Sequence, residues 1–150
     1  MPAGVEEETH GDPAEVAVLN ARRKALAIPG ELVLGADTVV ALDGVIYGKP
    51  RDAAQARDYL ARLSGRTHEV IGGLALTGRI EATAVEVTGV TFKALDDATI
   101  DAYVATGEWE GRAGGYAIQG RGGELVERIE GDYLNVVGLP LQRLKTLLKP

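Results

Sequence analysis

Glu31-Leu32-Val33-Leu34-Gly35-Ala36-Asp37-Thr38-Val39-Val40-Ala41-Leu42-Asp43-Gly44-Val45-Ile46-Tyr47 is the stretch on which the fold turns. Its first six residues form a short apolar run of the kind that makes a buried strand. Thr38 to Leu42 and Val45 to Tyr47 flank Asp43-Gly44. A two-residue Asp-Gly between β-formers predicts a tight hairpin. Lys49-Pro50 closes the second arm. Asp37 stands where the apolar run gives way to the hairpin, so a carboxylate sits at the exit of a buried strand.

Upstream of this strand the chain reads as helix. Asp12 is a candidate N-cap, Pro13 suits the first helical position and Glu15 completes a capping box. Val16, Leu19 and Leu26 give an approximate apolar stripe, and Pro29-Gly30 stops the helix. Downstream, Asp52 with Gln55 is a second capping signal, and Ala56, Tyr59, Leu60 and Leu63 share one helical face that ends at Ser64-Gly65. Two β segments, 67–77 and 81–93, are expected next, joined at Gly78-Arg79. A helix from Asp96 or Asp97 carries Ile100, Tyr103 and Val104, with Gly107 beyond its end. After a glycine-rich segment, Leu125 to Ile129 and Tyr133 to Val137 read as a hairpin around Gly131-Asp132. Pro140 opens a last helix with Leu141, Leu144, Leu147 and Leu148. Residues 1–11 are polar and acidic and are expected to be frayed or extended. Helices and strands interleave, but hairpins interrupt them. The expectation is one α/β domain over residues 1–150, a mixed sheet with flanking helices.

Composition narrows the chemistry. The 150 residues contain no cysteine, which excludes a disulfide framework, a thiolate metal site and a cysteine nucleophile. The net charge of −6 argues against a polynucleotide partner but not against a single nucleotide, which needs only a few local cations or a carboxylate-held metal. No apolar run approaches the roughly 20 residues of a membrane span, and the N-terminal residues do not read as a signal peptide, so the cytoplasm is the default. His10 and His68 have no zinc-ligand spacing.

The candidate functional residues follow. Asp37 could be a base or a metal ligand, or simply a hydrogen-bonded turn aspartate. Glu6-Glu7-Glu8 could supply a second carboxylate, or could be a solvated tail. Lys49 could reach a phosphate, or could be an ordinary surface lysine. The segment 107–123 is more specific, because six glycines fall between Gly111 and Gly123 amid Trp109, Arg112, Tyr116, Gln119 and Arg121. Glycines let backbone N–H groups approach a ligand, the two arginines offer phosphate forks, and Gln119 offers an amide that can read a base edge. The segment is neither a Walker loop nor a dinucleotide fingerprint. Carboxylates, cations and a glutamine suit metal-assisted hydrolysis at phosphorus.

Five segments in order carry a family resemblance: Leu34-Gly35-Ala36-Asp37-Thr38-Val39-Val40, Gly48-Lys49-Pro50, Leu63-Ser64-Gly65-Arg66-Thr67-His68-Glu69-Val70, Ala113-Gly114-Gly115-Tyr116-Ala117-Ile118-Gln119-Gly120, and Gly131-Asp132-Tyr133-Leu134-Asn135-Val136-Val137-Gly138-Leu139-Pro140. Together they resemble the Maf family of nucleoside triphosphate pyrophosphatases, from about Val5 to the C-terminus. The resemblance implies a Maf/ITPase-like fold and hydrolysis of a nucleoside triphosphate to the monophosphate and pyrophosphate with a divalent cation, Mg²⁺ or Mn²⁺. It implies that Asp37 accepts the proton of the attacking water and that Glu7, with Asp37, holds the metal. Lys24, Lys49 and Arg112 would neutralise phosphate, and Thr38 and Gln119 would select the base. The Gly-Tyr-Ala-Ile-Gln-Gly version looks like the branch acting on dTTP and UTP. The partner is then the nucleotide, with no nucleic acid polymer and no membrane, and a homodimer is admitted. The family normally begins with a strand and a Ser-x-Ser-Pro-Arg-Arg loop, and nothing like it precedes Val5. The expectation is therefore an N-terminally truncated form, with nucleotide binding without turnover as the alternative. Arg112 stands where the family often has Lys, which keeps the charge but alters the fork geometry.

Overall fold

The computed structural model describes residues 10–148. Besides two short 3₁₀ turns at Ala113–Gly115 and Arg121–Leu125, ten α-helices and strands follow in order among these residues: α1 (Pro13–Leu26), β1 (Leu32–Leu42), β2 (Val45–Tyr47), α2 (Ala53–Leu63), β3 (Thr67–Gly78), β4 (Ala82–Phe92), α3 (Asp97–Ala105), β5 (Val126–Glu130), α4 (Tyr133–Val137) and α5 (Leu141–Leu148). The strands make one sheet in the order β2-β1-β3-β4-β5. Every pairing among the described residues is antiparallel. The α/β arrangement of one sheet with flanking helices is thus the one expected. Among the described residues no helix is long and apolar enough to cross a membrane.

Local chemistry explains the boundaries. Asp12, Asp52 and Asp96 each accept from the backbone N–H three residues on, which caps α1, α2 and α3. Asp43 and Gly44 both have positive φ, 53° and 78°, as a type I′ hairpin requires, and Leu42 pairs with Val45 across the turn. Strand alternation then splits the core. Val39, Ala41 and Ile71 pack with Val16 and Ala17 of α1 on one face. Val40, Leu42 and Val70 pack on the other with α2, α3, Phe92 and Tyr116.

Two expectations are corrected. The buried stripe of α1 is Val16, Ala17, Asn20, Ala21 and Ala25, whereas Leu19 and Leu26 are exposed. The cause is close approach. A Cβ at Gly35 would lie inside contact distance of the Ala21 carbonyl oxygen, and one at Gly73 would overlap the Ala17 carbonyl. The helix backbone rests almost directly on β1 and β3, and only small side chains fit between. The second correction concerns 133–137, which forms a helix rather than a strand. The Asp132 carboxylate accepts from the Leu134 N–H at 2.9 Å, and Gly138, at φ 140°, ends the turn. Asn135 is wholly buried and its Nδ2 faces three acceptors: the Val70 and Glu86 carbonyls and the Thr88 hydroxyl, at 3.0–3.1 Å. Cap and anchor override the β propensity of Val136-Val137.

Candidate active site

Asp37 lies near the middle of β1 rather than at the exit of a strand, because one strand runs unbroken from Leu32 to Leu42, and its cross-strand neighbours decide what surrounds it. Asp37 pairs with Gly73 and Thr38 pairs with Gly72. Both partners lack side chains, so space opens on each face of the sheet at the same level. On the Gly73 face α1 settles close and brings Asn20 and Lys24 over the carboxylate. Asn20 Nδ2 donates to Asp37 Oδ2 at 3.1 Å, and Lys24 Nζ donates to Oδ1 at 2.7 Å. The Asp37 side chain is 4% exposed and that of Lys24 is 12% exposed. Two donors on successive turns of one helix therefore fix the orientation of a nearly buried carboxylate. On the Gly72 face Asn135 seats α4, whose end, Val136 to Gly138, forms a wall of the site.

These elements enclose a cleft of about 770 Å³. Lys24, Asp37, Thr38, Lys49, Arg112 and Gln119 all border it. Residues from α1, β1, the Gly48-Lys49-Pro50 turn and the glycine-rich segment are thus brought together from a sequence separation of nearly a hundred residues. Glu7 lies outside the described residues. Among the described residues no group of three His, Cys, Asp or Glu side chains could hold a metal ion. Asp37 offers one carboxylate to such an ion, and a magnesium-type site needs only one or two in addition to phosphate oxygens and water. The donor set of the cleft is compatible with a divalent cation that arrives with a phosphate.

The glycine-rich segment is held at both ends. Gly114 N–H donates to the Gly48 carbonyl at 3.2 Å, which ties the segment to the lysine-bearing turn. Gly114 has φ 74°, and a Cβ there would stand 2.9 Å from the Val40 methyls, so only glycine fits. Tyr116 is buried at the cleft, its hydroxyl 2.6 Å from His68 Nε2 and its ring edge-on to His68 and Phe92. Burial lowers the His68 pKa to about 4, so the imidazole is neutral near pH 7. At the far end, the Glu108 carboxylate accepts from the Arg121 N–H at 3.0 Å, the Gly122 N–H at 3.3 Å and the Tyr103 hydroxyl at 3.1 Å. These contacts hold the Glu108 carboxyl below the usual range, the Arg121 amide acting most strongly. The backbone N–H groups of 121 and 122 are therefore occupied by the protein's own carboxylate, and Arg121 is not among the residues of the cleft wall.

Asn20, Glu108 and Asn135 were not singled out from sequence. For Asn20 a signal existed: it lies four residues before Lys24, which places both on one helical face, among small residues. Apart from the Tyr103 hydroxyl on Glu108, both Glu108 and Asn135 act through contacts 13 to 65 residues away, which spacing does not reveal.

The chain is similar to proteins of one family. The family described as Maf-like protein matches residues 1–150. A dTTP/UTP pyrophosphatase of Anaeromyxobacter sp. (strain Fw109-5) is 51% identical, over 99% of this chain and 76% of its own length. A dTTP/UTP pyrophosphatase of Pyrococcus furiosus is 47% identical, over 93% of this chain and 77% of its own. That of Myxococcus xanthus is 50% identical, over 98% of this chain and 78% of its own.

Proposed function

Because this chain belongs to the Maf family, we propose that it hydrolyses dTTP and UTP to the nucleoside monophosphate and pyrophosphate. The observation that carries the reading is the Asp37 carboxylate, nearly buried, fixed by Asn20 and Lys24, and opening on a cleft that also holds Lys49, Arg112 and Gln119. Water attacks a phosphorus of the α–β linkage and loses its proton to the Asp37 carboxylate. The P–O bond of that linkage breaks, and its electron pair leaves with the departing phosphate group. Lys24 has three N–H donors, so it can hold Asp37 and a phosphate oxygen together. Lys49 and Arg112 offset the charge of the polyphosphate, and the Arg112 fork donates to two oxygens at once. Thr38, adjacent to Asp37, and Gln119, on the glycine-rich segment, select the base. An amide that donates and accepts at once matches the imide edge of uracil or thymine.

A divalent cation, when bound, offsets phosphate charge and polarises the reacting phosphoryl group. Asp37 is one of its ligands in this reading, and Glu7 is the second carboxylate. The substrate is a free nucleotide, which fits a cytoplasmic protein.

Pyrophosphate release from a panel of nucleoside triphosphates, with Mg²⁺, with Mn²⁺ and with chelator, tests the proposal. The expected result is turnover of dTTP and UTP above the other triphosphates, abolished by chelator. Asp37→Asn should lower kcat by roughly 10²–10⁴-fold, the usual worth of a positioned general base. Turnover equal in the two proteins, or a purine triphosphate as the preferred substrate, would refute it.

A further inference from the structure

We propose that Glu108 is a positioning residue for base selection: its carboxylate fixes the 117–122 turn that carries Gln119. The inference rests on the reading that Gln119 meets the base. Gln119 is exposed, and among the described residues its side chain has no hydrogen-bond partner, so its placement depends on the backbone on either side. Both sides converge on one carboxylate. On the near side the Ala117 N–H donates to the Tyr103 hydroxyl at 2.9 Å, and that hydroxyl donates to Glu108 at 3.1 Å. On the far side the N–H groups of Arg121 and Gly122 donate to the same carboxylate. A Cβ at Gly120 would stand 2.6 Å from both Glu108 carboxylate oxygens, so the turn lies directly on that group.

The carboxylate is itself well set. Trp109, its neighbour, donates from Nε1 to the Val104 carbonyl at 2.9 Å, and the Glu108 N–H donates to the Thr106 hydroxyl at 3.1 Å. Thr106 in turn donates to the Tyr103 carbonyl at 2.6 Å. The end of α3 therefore anchors Glu108, Glu108 anchors the turn, and the turn presents Gln119 to the cleft. An anionic acceptor facing adjacent backbone N–H groups makes charge-assisted bonds, which are stronger than neutral ones. Glu108 also borders the cleft, but among the described residues its carboxylate accepts from Tyr103, Arg121 and Gly122, so its bonds serve the loop rather than open space.

Four variants in the full chain separate this role from a general loss of fold. Glu108→Ala removes the anchor. Glu108→Gln keeps one carbonyl oxygen, which can still accept from Tyr103 and Gly122, but turns an N–H₂ toward the Arg121 amide. Tyr103→Phe keeps the buried ring and breaks only the near side. Gln119→Ala tests the underlying reading. Two measurements are made on each: amide hydrogen exchange at residues 117–122, and the ratio of kcat/KM for dTTP and UTP to that for ATP and GTP. The expected result for Glu108→Ala is exchange faster by at least tenfold at Arg121 and Gly122, with a drop of roughly tenfold in the pyrimidine-to-purine ratio, mostly through KM. Glu108→Gln should fall between Glu108→Ala and the unaltered protein in both. Tyr103→Phe should free Ala117 more than Arg121. If Glu108→Ala leaves either exchange or the ratio unaltered while Gln119→Ala shifts the ratio, the anchoring role is wrong and the base-reading role stands. If Gln119→Ala itself leaves the ratio unaltered, the base-reading role is wrong, and the proposal for Glu108 falls with it.

Discussion

Replacing Gly35 by alanine probes the link between packing and chemistry more directly than any change in the cleft. Gly35 is on β1, two residues before Asp37, and faces α1. An added Cβ would meet the Ala21 carbonyl oxygen well inside contact and the Ala25 nitrogen at 2.8 Å, whereas ordinary contact begins near 3.4 Å. Both obstacles are helix backbone, so no rotamer change relieves them. The helix must move away by about an ångström, and overpacking of this kind costs roughly 1–3 kcal/mol. Alanine is better than glycine in a strand by about 0.5–1 kcal/mol, which offsets part of that cost. The net expectation is a loss of about 1 kcal/mol, which in a chain of this size lowers Tm by roughly 2–4 °C. The functional consequence follows from the same displacement. Asn20 and Lys24 lie on the part of α1 that must retreat, and their bonds to Asp37 are 3.1 and 2.7 Å long. A shift of about an ångström breaks or distorts both, and misplacement of that size can cost ~10²-fold in rate.

The assay pairs thermal unfolding with steady-state hydrolysis of dTTP, and Gly89→Ala is its control. Gly89 is also a strand glycine, but an added Cβ there meets nothing closer than 3.7 Å. That variant should be neutral or slightly stabilising and fully active. If Gly35→Ala melted with the unaltered protein, or kept full activity, the claim that α1 is seated by bare backbone contact would be refuted.

Two further expectations can be checked with standard measurements. Asn20→Leu keeps the bulk but removes a donor to Asp37, so kcat should fall about tenfold with KM little altered, in steady-state kinetics; an unaltered kcat would show that this donor is not needed to orient the carboxylate. The folded pKa of His68 is lowered by burial from 6.5 to about 4. Between those values the unfolded chain binds a proton that the folded chain refuses, so stability should fall as pH drops through that window, by up to about 3 kcal/mol. Urea unfolding from pH 8 to pH 4 measures it, and His68→Phe should flatten the slope in the same window.

What was legible in the sequence was whatever depends on local chemistry. Asp12, Asp52 and Asp96 announce their helices, because a side-chain oxygen three residues before an N–H is a purely local device. Asp43-Gly44 announces its hairpin for the same reason, and the alternation beyond it gives two faces. What was not legible was set by a partner distant in sequence. The stripe of α1 seemed to contain Leu19 and Leu26, since periodicity rewards large apolar residues. The real stripe is alanine and asparagine, because the helix meets glycines at 35 and 73, and nothing within α1 encodes that. Segment 133–137 read as a strand from its valines, yet Asn135 binds acceptors on β3 and β4, up to 65 residues away, and that contact fixes a helical turn. The candidate site divides in the same way. Asp37, Lys49 and Gln119 were visible as chemistry in suggestive places, and Lys24 and Thr38 through the family resemblance. The residues that position them, Asn20, Glu108 and Asn135, were not.

Glycine makes up 20 of the 150 residues, about twice the ordinary share of roughly 7%, and that excess acquires a physical meaning from this division. Gly111, Gly114 and Gly115 supply the positive φ that the loop over the cleft requires. Gly35, Gly72 and Gly73 supply absence. At Gly72 a side chain would strike Asn135, and at Gly35 and Gly73 it would strike the backbone of α1. Gly72 and Gly73 are the cross-strand partners of Thr38 and Asp37. One face of this adjacent pair admits the helix that holds the carboxylate, and the other admits the asparagine that seats the cleft wall. An interior built this way has little slack, since backbone lies against backbone with no side chain to repack. The same contact that leaves Asp37 nearly dry also fixes its orientation. A methyl group added at Gly35 or Gly73 should therefore impair catalysis and stability together, whereas one added at Gly89 should touch neither.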